Sequence, residues 1–246
     1  MKYQRRSRNI NVLFAGASNT GKTQFIKTLA GADVVSEGEV SEHQIFLNGN
    51  GIKIIDTRGY GTDKNTDEKI KAIEILVKNS YKRFLMEETK IKRDPFMEDP
   101  RIHLMVLFAS PASKGMKDYD IVLLRLMNNK VNTLIVIPKC DYFTPEELQL
   151  QKQKIADLLK LNKIDTFGVE EDEDAIIYGV FGAEKNVMNN TYKERVLPHG
   201  TADITNESHS DYASFVEILS TAREDLLDLT HVHFYENYRK SMLSEQ

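Results

Sequence analysis

Cysteine is almost missing from this chain. A single one, Cys140, stands among 246 residues, so no disulfide can form within the chain, and a reducing compartment, the cytosol, is the economical reading. Tryptophan is absent altogether, which acquires meaning at position 199 below. Long hydrophobic runs are also lacking: the most apolar stretches, such as IHLMVLFA at 102–109, are far too short to span a bilayer and read as buried strands. The charged opening MKYQRRSRNI is followed by no apolar h-region, so no signal peptide is expected. A net charge of −4 gives no overall basic field, and nucleic acid is not an expected partner. One further absence is local: GADVVSEGEVSEHQIFLNGNGIKIID, residues 31–56, contains no threonine.

What is present alternates short β-rich runs with helical segments, the pattern of a mostly parallel sheet with helices on both faces in one α/β domain. Strands are predicted at 9–15, 43–47, 52–55, 102–109, 132–137 and 175–181. The second and third flank NGNG, residues 48–51, where Asn-Gly favours a tight hairpin and hence an antiparallel pair. From Asp67 onward Ile70, Ile73, Leu76, Val77, Tyr81, Phe84 and Leu85 recur at helical spacing. Thr144-Pro145-Glu146-Glu147 is a complete capping box with proline at the first helical position. Tyr212, Phe215, Val216, Leu219 and Leu226 predict one long amphipathic helix. The acidic run EEDED at 170–174 reads as a solvated loop. The six histidines do not read as a metal site; His231 and His233 lie two apart on a predicted helix and so face different ways.

The chemistry begins at Gly16-Ala17-Ser18-Asn19-Thr20-Gly21-Lys22-Thr23, a Gly-x4-Gly-Lys-Thr loop between an apolar strand and a helix carrying Phe25, Ile26 and Leu29. Backbone N–H groups of such a loop converge on a phosphate at a helix N-terminus. Lys22 then supplies charge to the β and γ oxygens and the Thr23 hydroxyl is placed for Mg²⁺. The cradle extends to Gln24. Asn19 stands inside the loop where glycine is common, and asparagine tolerates positive φ. Asp56-Thr57-Arg58-Gly59 follows a strand directly; Asp56 can hold Mg²⁺ through a water, and the Gly59 amide can reach a γ-phosphate. Lys139 and Asp141 follow another apolar strand. A carboxylate there accepts from guanine N1–H and the exocyclic amine, a donor pair adenine lacks on that edge, while a lysine stem can cover the base. Together these three stretches favour GTP or GDP over ATP, and an ATP-using kinase is the disfavoured reading.

These residues carry a family resemblance. The chain resembles the septins, GTP-binding proteins that polymerise into filaments, through DTRGYG, RIHLMVLFASPASKGMKDYDI (101–121), NKVNTLIVIPKCDYFTPEEL (129–148) and, most specifically, DLTHVHFYENYR (228–239). The resemblance implies a P-loop GTPase-like fold with a septin-type C-terminal insert and helices, spanning 9–246 after a short basic segment at 1–8. It implies a cytoskeletal subunit acting in cell division and cytokinesis, at the cell cortex or division site, assembling with itself or other septins through one face across the nucleotide and another built from the terminal segments. Pro138 to Asp141 matches the septin Ala-Lys-Ala-Asp, Gly182 falls where septins place a glycine near the base, and Arg195 matches the arginine of Arg-x-Tyr-Pro-Trp-Gly. Leu197 and His199 replace the tyrosine and tryptophan of that motif. No coiled-coil tail follows.

In hydrolysing septins a switch threonine closes over the γ-phosphate. Between Thr28 and Thr57 this chain offers only Ser36 and Ser41 as switch candidates, and Tyr60 after Gly59 cannot orient water as a glutamine does. Slow or absent hydrolysis, with GTP kept as a structural cofactor, is therefore the expectation. An active GTPase switch is the alternative. A small basic cluster, Lys2, Arg5, Arg6 and Arg8, is worth about 1 kcal/mol per residue near an anionic membrane; a solvated terminus is the plainer reading.

Overall fold

Alternation along the strands sorts the apolar residues onto two faces. In the computed structural model, which describes residues 9–62, 65–92, 94, 97–169, 174–186, 191–198 and 200–244, Leu13, Ile55, Leu107 and Ile135 belong to one buried layer and Val12, Phe14, Ile54 and Val106 to another. Successive side chains on a strand face opposite ways, so a strand buried on both sides must be apolar throughout. The central strands meet that condition.

The chain runs β1 (Ile10–Gly16), α1 (Lys22–Ala30), β2 (Val40–Leu47), β3 (Asn50–Thr57), α2 (Thr66–Glu88), β4 (Leu104–Phe108), a minute hairpin of β5 (Pro111–Ala112) and β6 (Gly115–Met116), then α3 (Asp118–Met127) and β7 (Asn132–Pro138). It continues through α4 (Pro145–Asn162), β8 (Ile177–Val180), a meander of β9 (Glu184–Asn186), β10 (Thr191–Leu197) and β11 (Gly200–Asp203), then α5 (Tyr212–Thr221), α6 (Arg223–Leu229), a π-helical turn (Thr230–Tyr235) and α7 (Glu236–Ser244). The main sheet has the order β2-β3-β1-β4-β7-β8 and is parallel except for β2 against β3. One face is covered by α2, α3 and α4 through Ile73, Val77, Leu124, Ile155 and Leu159. The other is covered by α1, α5 and α6 through Phe25, Ile26, Phe215, Leu219 and Leu226. Full burial of each such side chain stabilises by about 1.5–3 kcal/mol.

The hairpin expected at NGNG is present, with Asn48 and Gly49 both at positive φ (49° and 80°), the pair a two-residue turn between right-twisted strands requires. Its arms are longer than the apolar pattern alone indicates, because Val40 pairs as far as Thr57. The capping box is also formed: Thr144 Oγ1 accepts from Glu147 N–H and the Glu147 carboxylate accepts from Thr144 N–H.

The single helix expected from Tyr212 to Leu226 is instead divided at Ala222, whose ψ of 16° ends α5 before α6 begins. Farther on, Thr230 and Tyr235 are both fully buried. In an α-helix residues five apart point roughly 140° apart, whereas a π turn sets them one turn apart on the same side. The π turn thus lets both face the domain. The basic cluster at 1–8, His199 and all of the acidic run except Asp174 lie outside the described residues. No helix among the described residues is long and apolar enough to cross a membrane.

Candidate functional site

In a parallel sheet the loops at the carboxyl ends of the strands share one edge. Here that edge gathers Ala17 to Gly21 after β1, Arg58 to Tyr60 after β3, Lys139 to Tyr142 after β7 and Phe181 to Ala183 after β8. The loop after β1 turns through positive φ at Asn19 (64°) and Gly21 (91°), and Thr20 Oγ1 donates to Ala17 O at 2.8 Å. Lys22 is buried, and its Nζ donates to Gly16 O and Ala17 O, both at 2.9 Å. Burial lowers its pKa to about 8 against the opposing charges of Asp56 and Asp120. Gly59 presses against this loop: a Cβ there would sit 2.4 Å from Ser18 N and Cα, and Ser18 N–H donates to Tyr60 O at 2.8 Å. The two motifs are one packed unit.

Three hydroxyl and carboxylate oxygens meet beside it. Thr23 Oγ1 donates to Asp56 Oδ2 at 2.7 Å and Ser36 Oγ donates to the same oxygen at 2.8 Å. Asp56 Oδ1 is buried and has no hydrogen bond. Hydroxyl and carboxylate oxygens are the hard donors Mg²⁺ takes, and the buried, unbonded Asp56 Oδ1 leaves capacity for an ion or its water, so the donor set fits that ion with phosphate and water completing it. Ser41 is not part of the group; its hydroxyl closes an exposed turn with the Glu37 backbone.

Across the loop, a cavity of about 430 Å³ is lined by Thr20, Gly21, Gln24, Lys139, Gly182 and Arg195 among others, within the size range of small-molecule sites. Asp141 stands beside it with its side chain fully enclosed and neither carboxylate oxygen hydrogen-bonded. Arg195 Nη1 lies 3.1 Å from its Oδ2 without hydrogen-bond alignment, and burial raises the Asp141 pKa against the pull of that guanidinium. Arg195 also donates to Tyr142 Oη at 3.1 Å and covers the Tyr142 ring. Gly182 matters for what it lacks: a Cβ would meet Gln24 Cγ at 2.7 Å, where Gln24 Nε2 donates to Ala183 O at 2.5 Å. Cys140 points inward, its thiol pushed up to about 12 by burial, and is a core residue.

Sequence reading missed several participants. Asp33 accepts from Lys185 Nζ at 2.6 Å and from the Tyr192 hydroxyl, fastening the loop after α1 to the β9–β11 meander. Tyr60 is fully buried, and its hydroxyl donates at 2.6 Å to Asp120, which also accepts from Ser110 N–H at 2.8 Å. Burial raises Asp120 to about 6 despite both bonds. His43 reaches Ser36. Tyr60 was read only as a residue that cannot orient water; its bond to Asp120 and the other contacts join separate segments of the chain, which no motif encodes.

A mostly parallel α/β sheet with a strand-loop-helix phosphate cradle at its carboxyl edge defines a protein of the P-loop nucleoside-triphosphatase fold. The septin family model matches residues 6–246, and the chain belongs to the septin family. Septin-8-A of Danio rerio is 30% identical over 266 residues, covering 96% of this chain and 62% of that protein. Septin-2 of Drosophila melanogaster is 29% identical over 262 residues, with the same shares of 96% and 62%. The chain thus spans less than two thirds of these relatives. The septin GTPase domain from Chlamydomonas reinhardtii shares the fold, with a TM-score of 0.77 at 20% identity over 95% of this chain and 98% of that one.

Proposed function

We propose that this chain is a guanine-nucleotide-binding septin subunit that retains GTP and hydrolyses it slowly or not at all. The observation that carries the reading is Asp141: an enclosed carboxylate with two unbonded oxygens is costly unless something donates to it. Guanine N1–H and its amine are a matching pair. Gly16 to Gln24 would bind the phosphates, with the Gly59 amide at the far end; Lys139 would cover the base, with Gly182 and Arg195 beside it. Thr23 and Asp56 would hold Mg²⁺, which when bound neutralises phosphate charge.

Slow turnover follows from position 60. Phosphoryl transfer depends on positioning the attacking water, and the Tyr60 hydroxyl is committed to Asp120 beneath the surface. Retained GTP stabilises the folded subunit, and any interface that includes it, by mass action. We further propose assembly with itself or other septins through the nucleotide-side and terminal-side faces, as part of the cytoskeleton, with 9–246 forming one G domain. A second reading, an active GTPase, is favoured by Ser36, whose hydroxyl lies in the Asp56 group.

The test is to denature freshly purified protein, identify the released nucleotide by chromatography, and repeat after incubation with GTP and Mg²⁺. Intact GTP is expected. Accumulating GDP over several turnovers would establish the second reading, and release of adenine nucleotide would overturn both.

A further inference from the structure

Ser36 touches a second side chain besides Asp56. It lies in the irregular segment between α1 and β2, and its Oγ is 3.1 Å from Nε2 of His43, a buried residue of β2. His43 pairs in register with Ile54, on the same sheet face as Ile45 and Leu47, so its ring is held by a strand rather than a loop. The serine hydroxyl therefore stands between a strand-borne imidazole and Asp56 Oδ2 at 2.8 Å. The bland alternative is a core histidine that uses Ser36 only to satisfy one ring nitrogen.

The bonding capacity of the serine leaves room for the first role. A hydroxyl has one proton and two lone pairs: the Ser36 proton goes to Asp56 Oδ2, one lone pair can accept from a His43 Nε2–H, and the other is left for a cation. The hydroxyls of Thr23 and Ser36 converge on the same oxygen, Asp56 Oδ2, so Ser36 stands beside the P-loop hydroxyl that would hold the ion. Groups that hold a metal ligand from behind typically change metal affinity by 10- to 100-fold when removed. Resting on the reading of this cleft as a Mg²⁺-nucleotide site, we propose that His43 is a positioning residue that holds the Ser36 hydroxyl in the Mg²⁺ ligand set, giving this chain its substitute for the absent threonine.

The experiment measures release of a fluorescent guanosine triphosphate from the full chain as Mg²⁺ is titrated, together with thermal stability. His43→Leu keeps volume but removes the nitrogen; His43→Gln keeps a polar group near the Nε2 position. The Mg²⁺ concentration that halves release is expected to rise about 10-fold or more in His43→Leu and in Ser36→Ala, and to stay near wild type in His43→Gln. Equal behaviour of the Leu and Gln variants, whether both shift or neither does, would assign His43 to packing and overturn the proposal. Thr23→Ala separates the premises: if it raises the Mg²⁺ requirement while His43→Leu does not, only the His43 proposal fails. If Thr23→Ala also leaves the requirement unchanged, the Mg²⁺ reading itself fails.

Discussion

On the proposed reading, Asp141 would set the base specificity of the cleft through what its two oxygens can accept. Asn in its place accepts one hydrogen bond and donates another, which matches xanthine, whose C2 carbonyl replaces the guanine amine. Asp141→Asn should therefore lose GTP affinity by on the order of a hundredfold or more and gain preference for XTP; competition binding with both nucleotides decides this, and unchanged GTP preference would remove Asp141 from the base site. Lys22 makes a pH prediction. Its pKa of about 8 is lowered by burial, and a bound phosphate would raise it. Below pH 8 the proton is already present and affinity is flat; above it, binding must take up a proton and affinity falls by up to about tenfold per pH unit. Calorimetry near pH 9 in buffers of different ionisation enthalpy should report close to one proton bound. Asp120 is shifted up rather than down, and what it contributes is likewise lost as pH rises. Its pKa, raised to about 6, means the native state holds more protons than the unfolded one between about pH 4 and 6, so its contribution is full below that window and lost as pH rises through it. Tyr60→Phe removes one donor from this buried carboxylate and should cost about 1–3 kcal/mol by denaturant unfolding at pH 7, with little loss at pH 4.

Among the elements, the loop after β1 and the turn after β3 cannot move independently. Gly59→Ala would drive a methyl into the backbone of Ser18, not into a side chain that can swing away. We expect this variant to fold with reduced stability and to retain nucleotide much less well than wild type, measured by the nucleotide-to-protein ratio after purification; full retention would show that the two loops separate at little cost. The phosphate cradle was legible in the sequence because its residues are contiguous and its spacing is fixed by the ring of amides around a phosphate. The hairpin and the α4 capping box were legible for the same local reason. The β9–β11 meander was not, because strands such as Glu184–Asn186 are short and largely exposed and carry no alternation to read. The link from Asp33 to Lys185 and Tyr192 closes over more than 150 intervening residues through a loop, and no periodicity encodes such a contact.

For the whole molecule, the two-faced sheet was written in the order of strands and helices and the family in stretches such as DLTHVHFYENYR, while the path of the last 30 or so residues was not. The apolar spacing indicated helix but could not show where its register breaks, since that depends on what lies beneath: Asn132 and the His103 carbonyl under Thr230, Phe84 and Glu88 around Tyr235. The π turn is, in effect, a phase shift of one residue in the helix that carries α7. His233 is exposed within it, and His233→Ala should leave stability within about 0.5 kcal/mol of wild type. Deleting His233 is another matter. It would leave Tyr235 four residues after Thr230, about 40° apart around an ordinary α-helix, so both would still face the domain with the π turn gone. Stability within about 1 kcal/mol of His233→Ala is expected from unfolding of the deletion variant; a loss of about 3–5 kcal/mol, the scale of removing a buried aromatic, would mean that the extra residue is needed to seat Tyr235. One surplus residue, itself in contact with solvent, is thus a leap day that the π turn absorbs, keeping the final helix in step with the domain it covers.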